Sequence, residues 1–374
     1  MQSERAFDIA VIGLSARALV TAARRAGLAA LALDLFADMD TLRLAAKSVT
    51  LRRGRGLTIE AADLLDQLAR HIGPDTPVVL SSGFEHRPRL VERLASRFSL
   101  MGSDARTLRL LKQPRAFAEL LAELDIPHPR LFEREAPAGV PALAKRVGGA
   151  GGQHIRPARR VSGRQRYLQE RLPGRAVSAL FLGDRRSARL IGFSEQWCDP
   201  APGVPFRYGG AAGPIQLEPP MEHAIAAALE RVTNAAGIAG LASADLIVDG
   251  SRWHLIEINP RPGASLDVFD HPPLPPLLRL HLEACAGHLP APPAALPPPR
   301  AAGLLYAPVP FTLGAEPLPE WVADCPPQGA AFRAGDPVCT VFATGDSAGQ
   351  ARSAAQDRAR ALMSRLICAD GAAG

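Results

Sequence analysis

Residues 239–263 read AGLASADLIVDGSRWHLIEINPRPG, two apolar runs on either side of Asp249-Gly250, which is the pattern of a β-hairpin. Asp245 lies on the first run. Glu257 and Asn259 lie on the second, two apart and therefore on one face. A two-residue Asp249-Gly250 loop pairs Asp245 with His254 and sends Glu257 to the other side. A three-residue loop through Ser251 pairs Asp245 with Leu255 and leaves Glu257 one diagonal step away on the same face, with Cβ atoms ~7–8 Å apart. The second register is expected, because it lets the three oxygens hold Mg²⁺ between them, and an acid inside the apolar run LIEIN, costly to bury without a partner, argues against an ordinary solvent-facing hairpin. Two carboxylates and an amide oxygen at that spacing form a hard-oxygen set that suits Mg²⁺ shared with nucleotide phosphates. Arg261 follows directly, stiffened by Pro260 and Pro262, and offers a guanidinium to negative oxygens on a reacting phosphoryl or acyl group.

Upstream, residues 142–157 read ALAKRVGGAGGQHIRP. Lys145 ends a short strand, and Gly148, Gly149, Gly151 and Gly152 form a loop whose backbone N–H groups can approach phosphate closely. No Lys-Ser/Thr pair follows and no helix opens there, so the loop is not a Walker motif. Lysine is rare in this chain. Of 43 basic residues only Lys47, Lys112 and Lys145 are lysines, and Asn234 and Asn259 are the only asparagines. In a chain dominated by Ala, Arg, Pro and Gly, the surviving Lys112, Lys145 and Asn259 are candidates for positions where the side chain matters. YLQERLPG at 167–174 runs a strand into a Pro-Gly turn and presents Gln169 and Glu170 to a base edge.

Further outward, FDIAVIG (7–13), a helical pattern to Arg25 and LAALALD (28–34) make a βαβ unit, and PVVLSSG (77–83) with a helix from Pro88 adds to it. The first hundred residues thus predict a Rossmann-like parallel sheet, although the GLSAR turn is not a dinucleotide fingerprint. A helical pattern over 104–124 ends at Pro127, β-rich sequence with a helix over 221–236 follows, and a proline-dense stretch after residue 270 reads as extended linker. Short β-like runs and a helix over 347–366 close the chain. The expected divisions are 1–103, 104–290 and 291–374.

With 374 residues, 47% hydrophobic and 21% charged, the chain has material for a large core, which excludes a disordered protein. No apolar stretch approaches ~18 residues, so no membrane partner is expected. The net charge of +6 is spread along the chain with 5% aromatics, so no nucleic-acid partner is expected either. Five scattered cysteines without CxxC, and an N-terminus without signal-peptide layout, give a cytoplasmic expectation.

Taken in order, these motifs resemble the ATP-grasp superfamily. The resemblance implies an α/β and α+β chain: a Rossmann-like N-terminal domain, two lobes clamping ATP, and a small β-rich C-terminal segment. It implies that Lys112 and Lys145 hold the α- and β-phosphates, with Lys145 and Arg261 as the catalytic pair. Gly148, Gly149, Gly151 and Gly152 would fold over the phosphates, and Gln169, Glu170 and the backbone near Leu172 would hold adenine. Asp245, Glu257 and Asn259 would ligate Mg²⁺, two ions in all, with Mn²⁺ as a substitute. Ala176 stands where many members carry an acid that grips the ribose. The chemistry implied is carboxylate activation as an acyl phosphate, then displacement by an amine, with small-molecule substrates and room for a homodimer. SSGFEHRP, FRYGGAAGPI and GDPVCTVFATG are similar to ATP-grasp proteins related to biotin carboxylase and to tyramine–glutamate ligases of methanofuran-type synthesis. By that similarity Glu85 would hold an ammonium, and Arg207 and Tyr208 would face the acceptor. A biotin-carboxylase-like carboxylase is the alternative.

Overall fold

Apolar runs that alternate with helices near the N-terminus pair in parallel, as that order demands. The computed structural model describes residues 7–371. Of residues 1–15, on which the signal-peptide expectation rests, 1–6 lie outside the described residues. Strands Lys47–Thr50, Ala30–Asp34, Ile9–Ile12, Pro77–Leu80 and Ser99–Leu100 form, in that order, a five-stranded sheet. All its pairings are parallel.

The helical pattern over 104–124 resolves into two helices, Ala105–Lys112 and Pro114–Glu123. Pro114 supplies no N–H and pushes Gln113 into an extended conformation, φ −94° and ψ 110°. The break leaves Lys112 at a helix C-terminus, where a cation complements the dipole.

An eight-stranded antiparallel sheet forms the centre. Its order is Arg252–Asn259, Ala239–Asp249, Arg175–Asp184, Ala188–Cys198, Tyr208–Ile215, Arg300–Tyr306, Pro337–Thr344 and Val322–Ala323. Arg300–Tyr306, Pro337–Thr344 and Val322–Ala323 therefore continue the sheet that carries the hairpin, while Phe311–Thr312 and Ala331–Phe332 pair separately. Helix Pro219–Ala236 covers one face, packing Ile225, Leu229 and Val232 against Val177, Phe181 and Leu246. The other face shares a core with the N-terminal sheet, where Ile9, Val11 and Leu19 meet Leu180, Leu241 and Phe269. Helix Leu277–Cys285 joins that core through Leu277, Leu278 and Leu280. The proline-dense segment is thus more than a linker, because its leucines recur at helical spacing and bury. A four-stranded sheet, Leu131–Phe132, Arg166–Glu170, Ala142–Arg146 and Arg156–Pro157, forms the second lobe.

Arg17, 4% exposed, ties distant parts of the chain together. Its Nη2 donates to Asp267 at 2.7 Å and to Asp324 at 2.9 Å, and its Nε donates to Asp324 at 3.1 Å. Asp40 accepts the backbone N–H groups of Asp324 and Cys325 at 2.9 and 3.0 Å. No helix among the described residues is long and apolar enough to cross a membrane.

Candidate active site

The hairpin turns through Gly250-Ser251, with Asp249 opposite Arg252 and Leu246 opposite Leu255. A bulge at Ile256 then moves the register by one, so that Asp245 stands directly opposite Glu257 and Ser243 opposite Asn259. The expected pairing of Asp245 with Leu255 is corrected. The loop is two residues long, and the bulge, not the loop, brings the acids to one face.

Asp245 is held by three neutral donors. Its Oδ1 accepts from Ser178 Oγ at 3.1 Å and Gln196 Nε2 at 3.0 Å, and its Oδ2 accepts from Asn259 Nδ2 at 3.2 Å. Asn259 Oδ1 accepts from Lys112 Nζ at 2.8 Å, and the same ammonium is bonded to Glu257. Burial raises the Asp245 carboxyl, and the neighbouring Glu257 raises it further. Burial also works against the Glu257 charge, but Lys112 and then Lys145 outweigh it and hold that carboxyl below its ordinary value.

Lys145, 7% exposed, is the penultimate residue of strand Ala142–Arg146 on the opposite wall. Burial pulls its ammonium down, while Glu257 and Asp245 pull it up. Between the walls lies a cleft of about 610 Å³, counting the solvent at its mouth. Phe117, Leu121 and Leu131 make one part of its wall apolar, and Lys112, Lys145, Gly149 and Glu257 make another part polar. Gln169 is buried on this wall.

The glycine loop leans on two neighbours. A Cβ on Gly148 would lie 2.7 Å from His86 Cβ, and one on Gly152 would lie 1.8 Å from the Phe206 carbonyl oxygen. Tyr208 N–H donates to Gly151 O at 3.1 Å, which docks the loop against the start of strand Tyr208–Ile215.

Beyond Asn259, Arg261 Nε donates to Glu85 Oε1 at 2.6 Å, and Gly83 N–H donates to Glu85 Oε2 at 2.8 Å. Burial opposes the Glu85 charge, yet Arg261 and then Lys112 hold its pKa at about 2. Arg261–Glu85 and Lys112–Glu257 thus form adjoining ion pairs.

Other expected residues lie elsewhere. Glu170 pairs with Arg130 at 2.8 Å, and Leu172 is half-buried beyond the strand end. Arg207 stacks on Tyr306 at 3.8 Å and donates from Nε to Asp199 O at 2.9 Å, and Tyr208 is half-buried, with burial raising its hydroxyl pKa. Neither Arg207 nor Tyr208 lines the cleft. His154 does, and sequence reasoning missed it. Its Nδ1 accepts Arg146 N–H at 3.1 Å, which fixes the neutral ring with its proton on Nε2. Its position just after the glycine run was the available signal.

The donor set fits a magnesium–nucleotide better than a free-standing metal site. Among the described residues no group of three His, Cys, Asp or Glu side chains is placed to hold a metal. Glu257 lines the cleft with Lys145, and Asn259 and Asp245 adjoin it, an oxygen set that suits an ion drawing its remaining ligands from phosphate and water. The Lys112 ammonium already bridges two of these oxygens as a stand-in cation.

Comparison with known proteins bears on the fold. Residues 114–265 match the family model of the ATP-grasp domain. The chain is similar to biotin carboxylase from Campylobacter jejuni, solved as a β,γ-ATP complex, at 14% identity over 92% of this chain and 89% of that one, with TM-score 0.70. It is similar to N5-carboxyaminoimidazole ribonucleotide synthetase from Thermus thermophilus at 19% identity over 96% and 98%, with TM-score 0.66. The Staphylococcus aureus N5-carboxyaminoimidazole synthetase complexed with ADP aligns at 13% identity over 94% and 96%, with TM-score 0.67. At these identities the likeness is one of fold. No curated protein matches by sequence.

Proposed function

We propose that this chain, an ATP-dependent ligase built on an ATP-grasp domain at 114–265, joins a carboxylate to an amine through an acyl phosphate. The observation that carries the proposal is one cleft lined by Lys112, Lys145 and Glu257, with Asn259 bonded to Lys112 and Asp245 bonded to Asn259 beside it. Adenine fits the apolar stretch by Phe117, Leu121 and Leu131. The phosphates fit against Lys145 and the N–H of Gly148, on the wall that His154 also lines. Bound Mg²⁺ would supply charge neutralisation between the phosphates and Asp245, Glu257 and Asn259.

A substrate carboxylate oxygen attacks the γ-phosphorus and ADP leaves. The amine nitrogen then attacks the acyl carbon, phosphate leaves, and the nitrogen loses its proton. In sum, carboxylate, ammonium and ATP give amide, ADP, phosphate and one proton. Arg261 stands where the acyl phosphate's oxygens need a cation, and Glu85 orients it. The protein contributes position and charge, which is what phosphoryl transfer asks of it.

The finer reading, glutamate joined to a small amine in one-carbon cofactor synthesis, is supported by the similarity of SSGFEHRP and FRYGGAAGPI. A second reading is favoured by the biotin carboxylase likeness: carboxylation with bicarbonate. Incubation with Mg-ATP and panels of acids and amines, read as ADP release and product mass, separates them. Amide mass supports the ligase, and ADP release that needs bicarbonate and biotin supports the carboxylase. Glu257→Gln is expected to lower Mg²⁺-dependent ATP turnover at least a hundredfold with an unchanged circular dichroism spectrum. Undiminished turnover in that variant would falsify the site.

A further inference from the structure

Strands Ala142–Arg146 and Arg156–Pro157 run antiparallel, with Leu143 opposite Pro157 and Ala144 opposite Arg156. In the same register Arg146 falls opposite His154, and the residues between them, 147–153, are the glycine loop. Ala158 N–H donates to Ala142 O at 3.1 Å. Hydrogen-bonded pairs alternate along an antiparallel ladder, so Arg146 and His154 fall on a bonded pair as well. There the side chain of His154 takes the place of a main-chain carbonyl, its Nδ1 accepting Arg146 N–H at 3.1 Å. The imidazole adds a rung to the hairpin and closes the loop at its neck.

The ring also reaches into the loop. Its Nε2 edge lies on Gly149, where it bonds the backbone, and a Cβ at Gly149 would stand 2.3 Å from both Cδ2 and Nε2. Gly148, Gly151 and Gly152 have φ of +65°, +68° and +71°, which is reason enough for glycine, but Gly149 lies outside that region. What bars a side chain at Gly149 is the His154 ring. Burial holds that ring below its ordinary pKa against the pull of Glu257, and Lys145 and Arg146 lower it further, so Nδ1 keeps its lone pair at neutral pH. Gly149 N–H turns back to Arg146 O at 3.1 Å, and Gly148 beside it lines the cleft. A loop so rich in glycine is costly to order, and a brace across it removes part of that cost before binding.

We infer that His154 is the positioning residue of this loop: its imidazole locks the neck at Arg146 and the turn at Gly149, so that the loop stands ready for phosphate before a nucleotide arrives. The consequence for binding rests on the reading of the cleft as a nucleotide site; the brace itself does not.

Hydrogen–deuterium exchange of the full chain without nucleotide reads the brace directly. His154→Ser is expected to speed exchange of the amides in 148–153 at least tenfold. His154→Asn, whose Oδ1 takes the place of Nδ1 and can accept Arg146 N–H, should keep it within threefold of the unaltered protein. Calorimetric titration reads the consequence. Mg-ATP should bind His154→Ser at least tenfold more weakly, His154→Asn should recover most of that loss, and adenosine, which has no phosphate, should bind all three alike. Gly149→Ala, which must push the ring aside, should weaken Mg-ATP to the same degree as His154→Ser and add nothing to it in the double variant. Should melting temperatures show His154→Ser to be unfolded, Gly149→Ala decides through the same exchange measurement. Exchange in 148–153 unmoved in a folded variant, His154→Asn no better than His154→Ser, or additive losses in the double variant overturns the inference. A protein that shows the expected exchange but binds no Mg-ATP keeps the brace and loses the nucleotide reading.

Discussion

Lys112 sits between the oxygens of Glu257 and Asn259, the place proposed above for Mg²⁺. A tethered cation competes at an effective concentration no dissolved ion matches at millimolar levels. Mg²⁺ alone is therefore expected to leave the melting temperature unmoved, whereas Mg-ATP, which brings an anion for Lys112 along with its cation, should raise it by several degrees; Lys112→Ala should let Mg²⁺ alone act. A melting temperature that climbs with Mg²⁺ alone in the unaltered protein would count against the arrangement. At this scale much was legible. Lys112, Lys145 and Asn259 stood out by rarity, and Glu257 by its apolar surroundings. His154, Ser178 and Gln196 did not, because they act through partners that only folding brings near: Arg146 N–H for the first, Asp245 for the other two.

Among elements, the glycine loop shows how part of a site can be read and part cannot. The run of glycines is plain in the sequence, but its supports, His86 and Phe206, lie more than fifty residues away on either side. Gly152 has φ +71°, and a Cβ there would overlap the Phe206 carbonyl oxygen. Gly152→Ala is thus expected to undock the loop, raising the KM for ATP at least tenfold and speeding protease cleavage within 148–154. Gly151, at φ +68°, would place its Cβ in open space, so Gly151→Ala carries the backbone strain without the clash and should do less on both counts. The hairpin teaches a similar lesson. Its existence follows from two apolar runs around a turn, but the bulge at Ile256 adds a residue to one strand only and leaves no mark in the pattern. The break at Pro114 has a plain cause in proline's missing N–H, yet the expected single helix over 104–124 passes over it.

Across the whole molecule, Arg17 joins the first helix to Asp267 and Asp324, and nothing in the GLSAR turn distinguishes it from the many arginines at the surface. Arg17→Met leaves two carboxylates without their cation, and a broken buried pair costs about 3–5 kcal/mol; chemical denaturation should show a loss of that order. Nearby Asp38 is pushed up to about 8 by burial, and then by Asp324, Asp34 and Asp40. Its folded value lies above its unfolded one, so the native chain holds that proton more tightly. Its contribution to stability is fully present below about pH 4, falls as pH rises to about 8, and is flat beyond. Asp38→Asn should remove that decline, seen as a smaller difference in unfolding free energy between pH 5 and pH 9 than in the unaltered protein. The partners of Arg17 also fix an order of events during synthesis. Asp267 and Asp324 follow it by 250 and 307 residues. A chain leaving the ribosome can therefore assemble the first helix against its strands long before it holds the acids that make that arginine tolerable inside. Until Asp324 is translated, the N-terminal unit carries an unmatched charge at its future seam, and a segment made 307 residues later completes it.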